Sequence, residues 1–318
     1  RLPQPHAGDM FFDMEGDPLE DGGLEYLFGV WFLEGGEWTF RPFWAHNRDE
    51  ERLAFEAFID FVTLRRRQFR AAHVYHYASY EETALKRLAS WHGTREVEVD
   101  NLLRQGALVD LYKVVREGIR ISEPSYSIKN VEHFYRPARS GDVQNAGASI
   151  VFYERWRETR DPQLLKDIEH YNCDDVVSTQ QLRDWLLTLR PAGVAWKGHS
   201  PAAAADGGGD ALALTKTQKA EQRLVPYRER LVDSLPAERS DWTMDHHASE
   251  LTYQLLDFHR RADKPVWWAL FARMDMVEDE LLDDPECLAG LQLDPANPPI
   301  REKRSTVYTY LAPEQETK

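Results

Sequence analysis

The sequence predicts an α/β fold: a mixed sheet that opens with an antiparallel three-strand meander and continues in parallel strands, flanked by helices, with a mainly helical C-terminal region. Three observations lead there. Residues 9–15, 25–33 and 37–44 are short runs rich in aromatic and aliphatic side chains, the last two separated by the turn signal Glu34-Gly35-Gly36. Apolar residues at helical spacing then alternate with short strand-like runs. Finally, residues 191–212 (PAGVAWKGHSPAAAADGGGDAL) change composition to Pro, Ala and Gly, as a flexible linker does. The expected organisation is one domain over 1–190, the linker over 191–212, and a mainly helical region over 213–318.

Taken in order, the meander leads into a helix from Asn47-Arg48-Asp49 to about Arg70, with Leu53, Phe55, Phe58, Ile59 and Val62 on its apolar side. Arg65, Arg66, Arg67 and Arg70 stand at its end, where positive charge suits the helix dipole. Such a run is either a solvated face or a phosphate-facing patch. Residues 72–77 (AHVYHY) predict a fourth strand, followed by a helix from about Ser79 carrying Glu81, Leu85 and Leu88. After a polar stretch, LVDLYKVVREG (108–118) reads as a short strand running into a helix. Residues 119–147 read as irregular and mix Arg120, Lys129, Arg136 and Arg139 with Tyr126, Phe134 and Tyr135. That mixture either grips a single strand, by phosphate contact and base stacking, or is ordinary loop chemistry. A long helix is expected over 162–189, and two more over 214–233 and 246–262. Trp267, Trp268 and Phe271 read as a core or interface plug, and the final residues alternate like a strand before a polar end.

The bulk numbers exclude some functions. The 318 residues suffice for about two domains. No run of about 18 apolar residues spans a membrane, and no signal peptide is visible. The chain opens on Arg1, which suggests an excised fragment or processed product. Only two cysteines, Cys173 and Cys287, argue against a disulfide framework or Cys-rich zinc site and suit a reducing cytoplasm. His76 and His170 are too few and too poorly spaced for zinc. A net charge of −15 is the wrong sign for non-specific attraction to phosphate, although metals can offset an acidic site and basic residues can cluster locally.

The chemistry concentrates at two places. In DMFFDMEGDP (9–18), Asp13 and Glu15 lie two apart in a strand and therefore share one face, with Met14 on the other. Two carboxylates on a buried face repel each other and lose hydration, and a divalent cation is the usual compensation. In the late helix, His170-Tyr171-Asn172-Cys173-Asp174-Asp175 places Tyr171 and Asp175 four apart on one face, with Asp174 turned about 100° away. If that helix packs beside the first strand, Asp175 meets Asp13 and Glu15.

This order of D-x-E on strand one, an acid after strand four, and Y-x-x-x-D on a late helix resembles the DEDD-type exonucleases of the ribonuclease H-like fold, and YNCDDVVSTQQL resembles their Tyr-containing third motif. The phrases FFDMEGDP, YHYASYEETALKRL, LVDLYKVVREGIRISEPSYSIKNVE and YNCDDVVSTQQLRDWL further resemble the internal ribonuclease H-like domain of RecB-like nuclease–helicases. FHRRADKPVWWALFARM and RSTVYTYLAPEQETK resemble the segment leading on to the helicase motor. The resemblance implies that Asp13, Glu15 and Asp175 are metal ligands and that Tyr171 orients the attacking water. The second motif departs from the pattern: His76 stands for the usual Asn and Glu81 for the usual Asp. Glu81 is the favoured fourth carboxylate and Asp110 the alternative.

By the same resemblance, the protein is a 3′–5′ exonuclease that hydrolyses phosphodiester bonds of nucleic acid, single-stranded DNA favoured. Two Mg2+ or Mn2+ ions would stand about 3.5–4 Å apart, and Arg120, Lys129, Arg136 and Arg139 would contact nucleic acid. Helicase and further nuclease domains would be its partners in DNA processing or repair. No G-x-x-x-x-G-K-[ST] loop occurs in the 318 residues, so ATP hydrolysis is not expected of them. The competing readings are a catalytically degenerate binding or spacer module serving a helicase, and a structure-specific endonuclease.

Overall fold

A computed structural model of the chain describes residues 1–137, 146–197, 216–236 and 241–256. Beyond these it describes 258–259, 262, 266, 268, 270, 273, 281–282, 287–303, 305–313 and 315. The described residues divide into two compact units, Arg1–Gln254 and Leu255–Lys318. The linker expected over 191–212 lies, from 198 on, outside the described residues, as do Arg139, Trp267 and Phe271.

In the first unit, β1 (Met10–Asp17), β2 (Leu24–Glu34) and β3 (Glu37–Trp44) form the meander; β4 (Val74–His76) and β5 (Leu108–Asp110) extend the sheet. The order is β3-β2-β1-β4-β5. The meander is antiparallel, while β4 joins β1 and β5 joins β4 in parallel. Between them run α1 (Arg48–Gln68), α2 (Tyr80–His92) and α3 (Glu96–Arg104). After β5 come α4 (Leu111–Gly118), α5 (Ile128–Glu132), α6 (Ala146–Thr159), α7 (Pro162–Leu189), α8 (Lys216–Leu231) and α9 (Met244–Leu255).

Alternation in the strands and periodicity in the helices decide what covers each face. Phe12 stacks on Phe58 of α1 at 4.2 Å, and Phe28 and Phe43 meet the same ring. The odd-numbered residues of β1 face the other way. Phe11 joins Tyr75, Val109, Val176, Leu182 and Leu186 in a core that binds α7 to the sheet. Local chemistry fixes the helix starts: the Asn47 side chain accepts from Glu50 N at 2.9 Å, and Asp161 accepts from Gln163 N at 2.9 Å just before Pro162.

Three helices differ from what the sequence leads one to expect. α3 falls in the stretch that reads only as polar, α5 is a five-residue helix inside the stretch that reads as irregular, and α6 carries a continuous apolar run at Ile150–Tyr153 that shows no helical period. The arginine run is neither of the two alternatives throughout. Arg65 is buried, donating to the carbonyls of Gly8 at 3.0 Å and Leu33 at 2.6 Å, and Arg66 donates to the Ala72 carbonyl at 3.0 Å and Gln105 Oε1 at 2.8 Å. Both are committed to the fold.

In the second unit, the described residues between 258 and 282 are helical. Two short pairs follow: β6 (Gln292–Leu293) with β9 (Tyr310–Leu311), and β7 (Ile300–Glu302) with β8 (Ser305–Val307). Trp268 is buried. Among the described residues, no helix is long and apolar enough to cross a membrane.

Candidate metal centre

The site forms where α7 crosses β1. Asp13 pairs across the ladder with Gly29, and Glu15 with Leu27. The strand pleat turns both carboxylates toward α7, and the helical repeat brings Asp175 down onto them. One carboxylate oxygen from each of Asp13, Glu15 and Asp175 lies within 4.8 Å of the others. Glu15 and Asp175 are buried, and Asp13 is half-buried.

Such crowding is costly without a cation. Burial, then the charges of Asp175, Glu15 and Glu81, hold the Asp13 carboxyl well above the ordinary range. Burial and Asp175 push Glu15 up to about 8, against the opposing pull of Ser149, Asn172 and Lys129. Three oxygen donors that repel one another in a buried place suit a hard divalent cation such as Mg2+ or Mn2+.

The remaining candidates separate by position. Glu81, buried in the first turn of α2, lies near enough to Asp13 to help raise its carboxyl. Its neighbour His76 ends β4, with Nδ1 facing the Ala78 carbonyl at 2.8 Å and Glu81 Oε2 at 3.5 Å. Burial pulls the His76 imidazole down, but Glu81, Asp110 and Glu82 more than reverse this and raise it. Asp110 is engaged elsewhere: a single oxygen accepts from Tyr112 N at 2.8 Å, capping α4, and from Ala78 N at 2.9 Å. That second bond helps fix Ala78 in the left-handed region, at φ 70°, just before α2 delivers Glu81.

Tyr171 is buried on the face of α7 that carries Asp175, and Lys129 Nζ sits 5.3 Å from its ring centroid. Lys129, in α5, is therefore the one of the four basic candidates that the described geometry brings to the carboxylates. Arg136 donates to Asp174 Oδ1 at 2.5 Å and to its carbonyl at 3.2 Å. Arg120 is exposed, and Arg139 lies outside the described residues.

A family model described as RNase H superfamily matches residues 10–187, from the start of β1 to the end of α7. The chain belongs to the RNase H superfamily. None of the curated proteins matches it. The matched span contains Asp13, Glu15, Glu81 and Asp175, so the acidic cluster of this RNase H-like domain lies within the matched region.

Two contributors escaped the sequence reading. Asn172, fully buried beside Tyr171, donates from Nδ2 to Asp13 Oδ2 at 2.8 Å. Ser149 of α6, also fully buried, shares a 2.6 Å bond with the Tyr26 hydroxyl and opposes the rise of the Glu15 carboxyl. A signal for Asn172 stood in the sequence: Gly29 falls inside a strand, where glycine marks a close approach. Ser149 had none, because α6 itself was not recognised.

Proposed function

We propose that this protein is a divalent-metal-dependent 3′–5′ exonuclease that hydrolyses phosphodiester bonds of nucleic acid, single-stranded DNA favoured, with two Mg2+ or Mn2+ ions. The observation that carries the reading is the convergence of Asp13, Glu15 and Asp175 within 4.8 Å on an RNase H-like fold. These three would hold the cations, with Glu81 as fourth carboxylate. Bound there, divalent cations neutralise charge on the scissile phosphate and make a water a better nucleophile. Tyr171 orients the attacking water. Lys129, beside the Tyr171 ring, offers an ammonium to a substrate phosphate. The burial of Glu15, Glu81 and Asp175 keeps bulk water away and strengthens each charge interaction. In the setting its sequence resemblance implies, the domain over 1–190 works in the cytoplasm beside a helicase motor and a further nuclease domain, trimming strands during DNA processing or repair.

The test uses 3′- and 5′-labelled single-stranded DNA and RNA with Mn2+ or Mg2+. Release of label from the 3′ end, lost in Asp13→Ala, is expected. No degradation under any divalent metal at high enzyme refutes the activity. Cleavage of circular single-stranded DNA would make it an endonuclease, since an exonuclease needs an end. One observation favours the non-catalytic module: Glu81 lies 3.5 Å from His76 and is partly engaged by it. Strand binding without cleavage in saturating Mn2+ would establish that reading.

A further inference from the structure

We propose that Asn172 is a positioning residue for the Asp13–Glu15 carboxylate pair, seated by the missing side chain at Gly29; this rests on the metal site proposed above. Asn172 is 0% exposed on the face of α7 that meets the sheet. A buried amide at a helix–sheet contact is costly unless its hydrogen bonds are met. Here they are met on one side only. Nδ2 donates to Asp13 Oδ2 at 2.8 Å, whereas Oδ1 is buried without a partner. The amide thus serves the acid pair through Asp13, and it keeps this arrangement at the expense of its own oxygen.

Gly29 is the second unfavourable choice at the same place. It lies opposite Asp13 in the ladder, inside an eleven-residue strand, where glycine is less stable than alanine because it loses more backbone freedom on folding. A Cβ there would overlap Asn172 Oδ1 outright, lie 2.9 Å from its Cγ and 3.0 Å from the Phe40 ring. Any side chain at position 29 would displace the amide from the carboxylates. Alanine at 29 with a small apolar residue at 172 would pack this contact without either cost. The pair makes sense if the amide's contact with the acids is what matters.

The chemistry of the donor fits that role. A carboxylate has about four lone-pair sites, so accepting one N–H fixes its rotamer and leaves others free for a cation. An arginine or lysine in this position would fix the acids equally well but would compete with the divalent ion for their charge. A neutral amide orients without neutralising.

The experiment is a Mn2+ titration of the full chain, by calorimetry and by Mn2+ electron paramagnetic resonance, with melting temperatures recorded in parallel. Asn172→Ala should bind Mn2+ about 10- to 100-fold more weakly, with a changed spectrum, although every carboxylate is intact. Gly29→Ala should lose both affinity and melting temperature. In Gly29→Ala/Asn172→Ala the overlap is gone, so the melting temperature should recover from the Gly29→Ala value while affinity stays at the Asn172→Ala level. A folded Asn172→Ala with wild-type affinity and spectrum overturns the inference and leaves the metal site standing. A wild-type chain that binds no Mn2+ removes the site and the inference together. Should Asn172→Ala not fold, wild-type NMR decides: the Asn172 side-chain amide should shift on Mg2+ saturation, and an unmoved signal alongside shifted Asp13 and Glu15 resonances overturns the proposal.

Discussion

Neutralising Glu15 should stabilise the metal-free protein at pH 8 and leave it almost unchanged at pH 5. The folded chain holds the Glu15 proton far more tightly than an unfolded chain does, because burial and Asp175 raise it from 4.5 to about 8. For an acid raised in this way, the stabilising contribution is fully present below the unfolded value near 4.5. It is lost as pH climbs through the folded value near 8. Each tenfold change in proton affinity is worth about 1.4 kcal/mol, so the climb from 4.5 to about 8 corresponds to about 5 kcal/mol at full ionisation. Relaxation and water entry around the new charge reduce this, and about 2–3 kcal/mol is the working figure. Glu15→Gln removes the ionisation and keeps the shape. In EDTA at pH 8 its melting temperature should exceed wild type by about 4–10 °C, with the gap closing toward pH 5. Glu37→Gln, at an exposed strand start, serves as the flat control. Added Mn2+ should reverse the order, raising the wild type by mass action and leaving Glu15→Gln behind. Equal melting temperatures at pH 8 in EDTA would refute the argument that these acids repel in a desolvated site.

Other consequences follow from the same geometry. Mn2+ binding must displace protons from the raised Asp13 and Glu15 carboxyls, so calorimetry in buffers of different ionisation enthalpy should show proton release that shrinks as pH rises toward 8 and above. Ala78→Gly relieves a left-handed residue at φ 70° and should stabilise the fold by about 0.5–1 kcal/mol after the extra unfolded-state entropy of glycine, measurable by urea denaturation. Gly16→Ala should destabilise by about 1–3 kcal/mol, because its Cβ would overlap Oε2 of the buried Glu25 and lie 2.8 Å from the Tyr80 hydroxyl that bonds it. Lys129→Ala should raise KM more than it lowers kcat on labelled single-stranded DNA, whereas Arg136→Ala, whose partner is Asp174, should act mainly on stability.

What could be read from the residues alone was whatever the chain encodes within a few neighbours. The meander, the placement of Asp13 and Glu15 on one strand face, and the span of α7 with Tyr171 above Asp175 all follow from local periodicity. The relation of Glu81 to Asp110 did not, since both are acids close to short strands. Only the folded chain shows Asp110 spending one oxygen on two backbone amides while the charge of Glu81 acts on Asp13. The arginines after Val62 carry the same lesson. In sequence Arg65 and Arg66 read as a solvated face or a phosphate patch, yet the carbonyl groups of Gly8, Leu33 and Ala72 take up their donors. Asn172 is the sharpest case. Its role depends on contacts 159 residues away with Asp13 and on a side chain that Gly29 lacks. A periodicity argument ranks residues by what they contribute, and it has no means of ranking one by what it leaves out. The strand glycine becomes informative only when paired with the helix that crosses it. A single acidic strand acquires its chemistry in the same way, from the late helix packed across it.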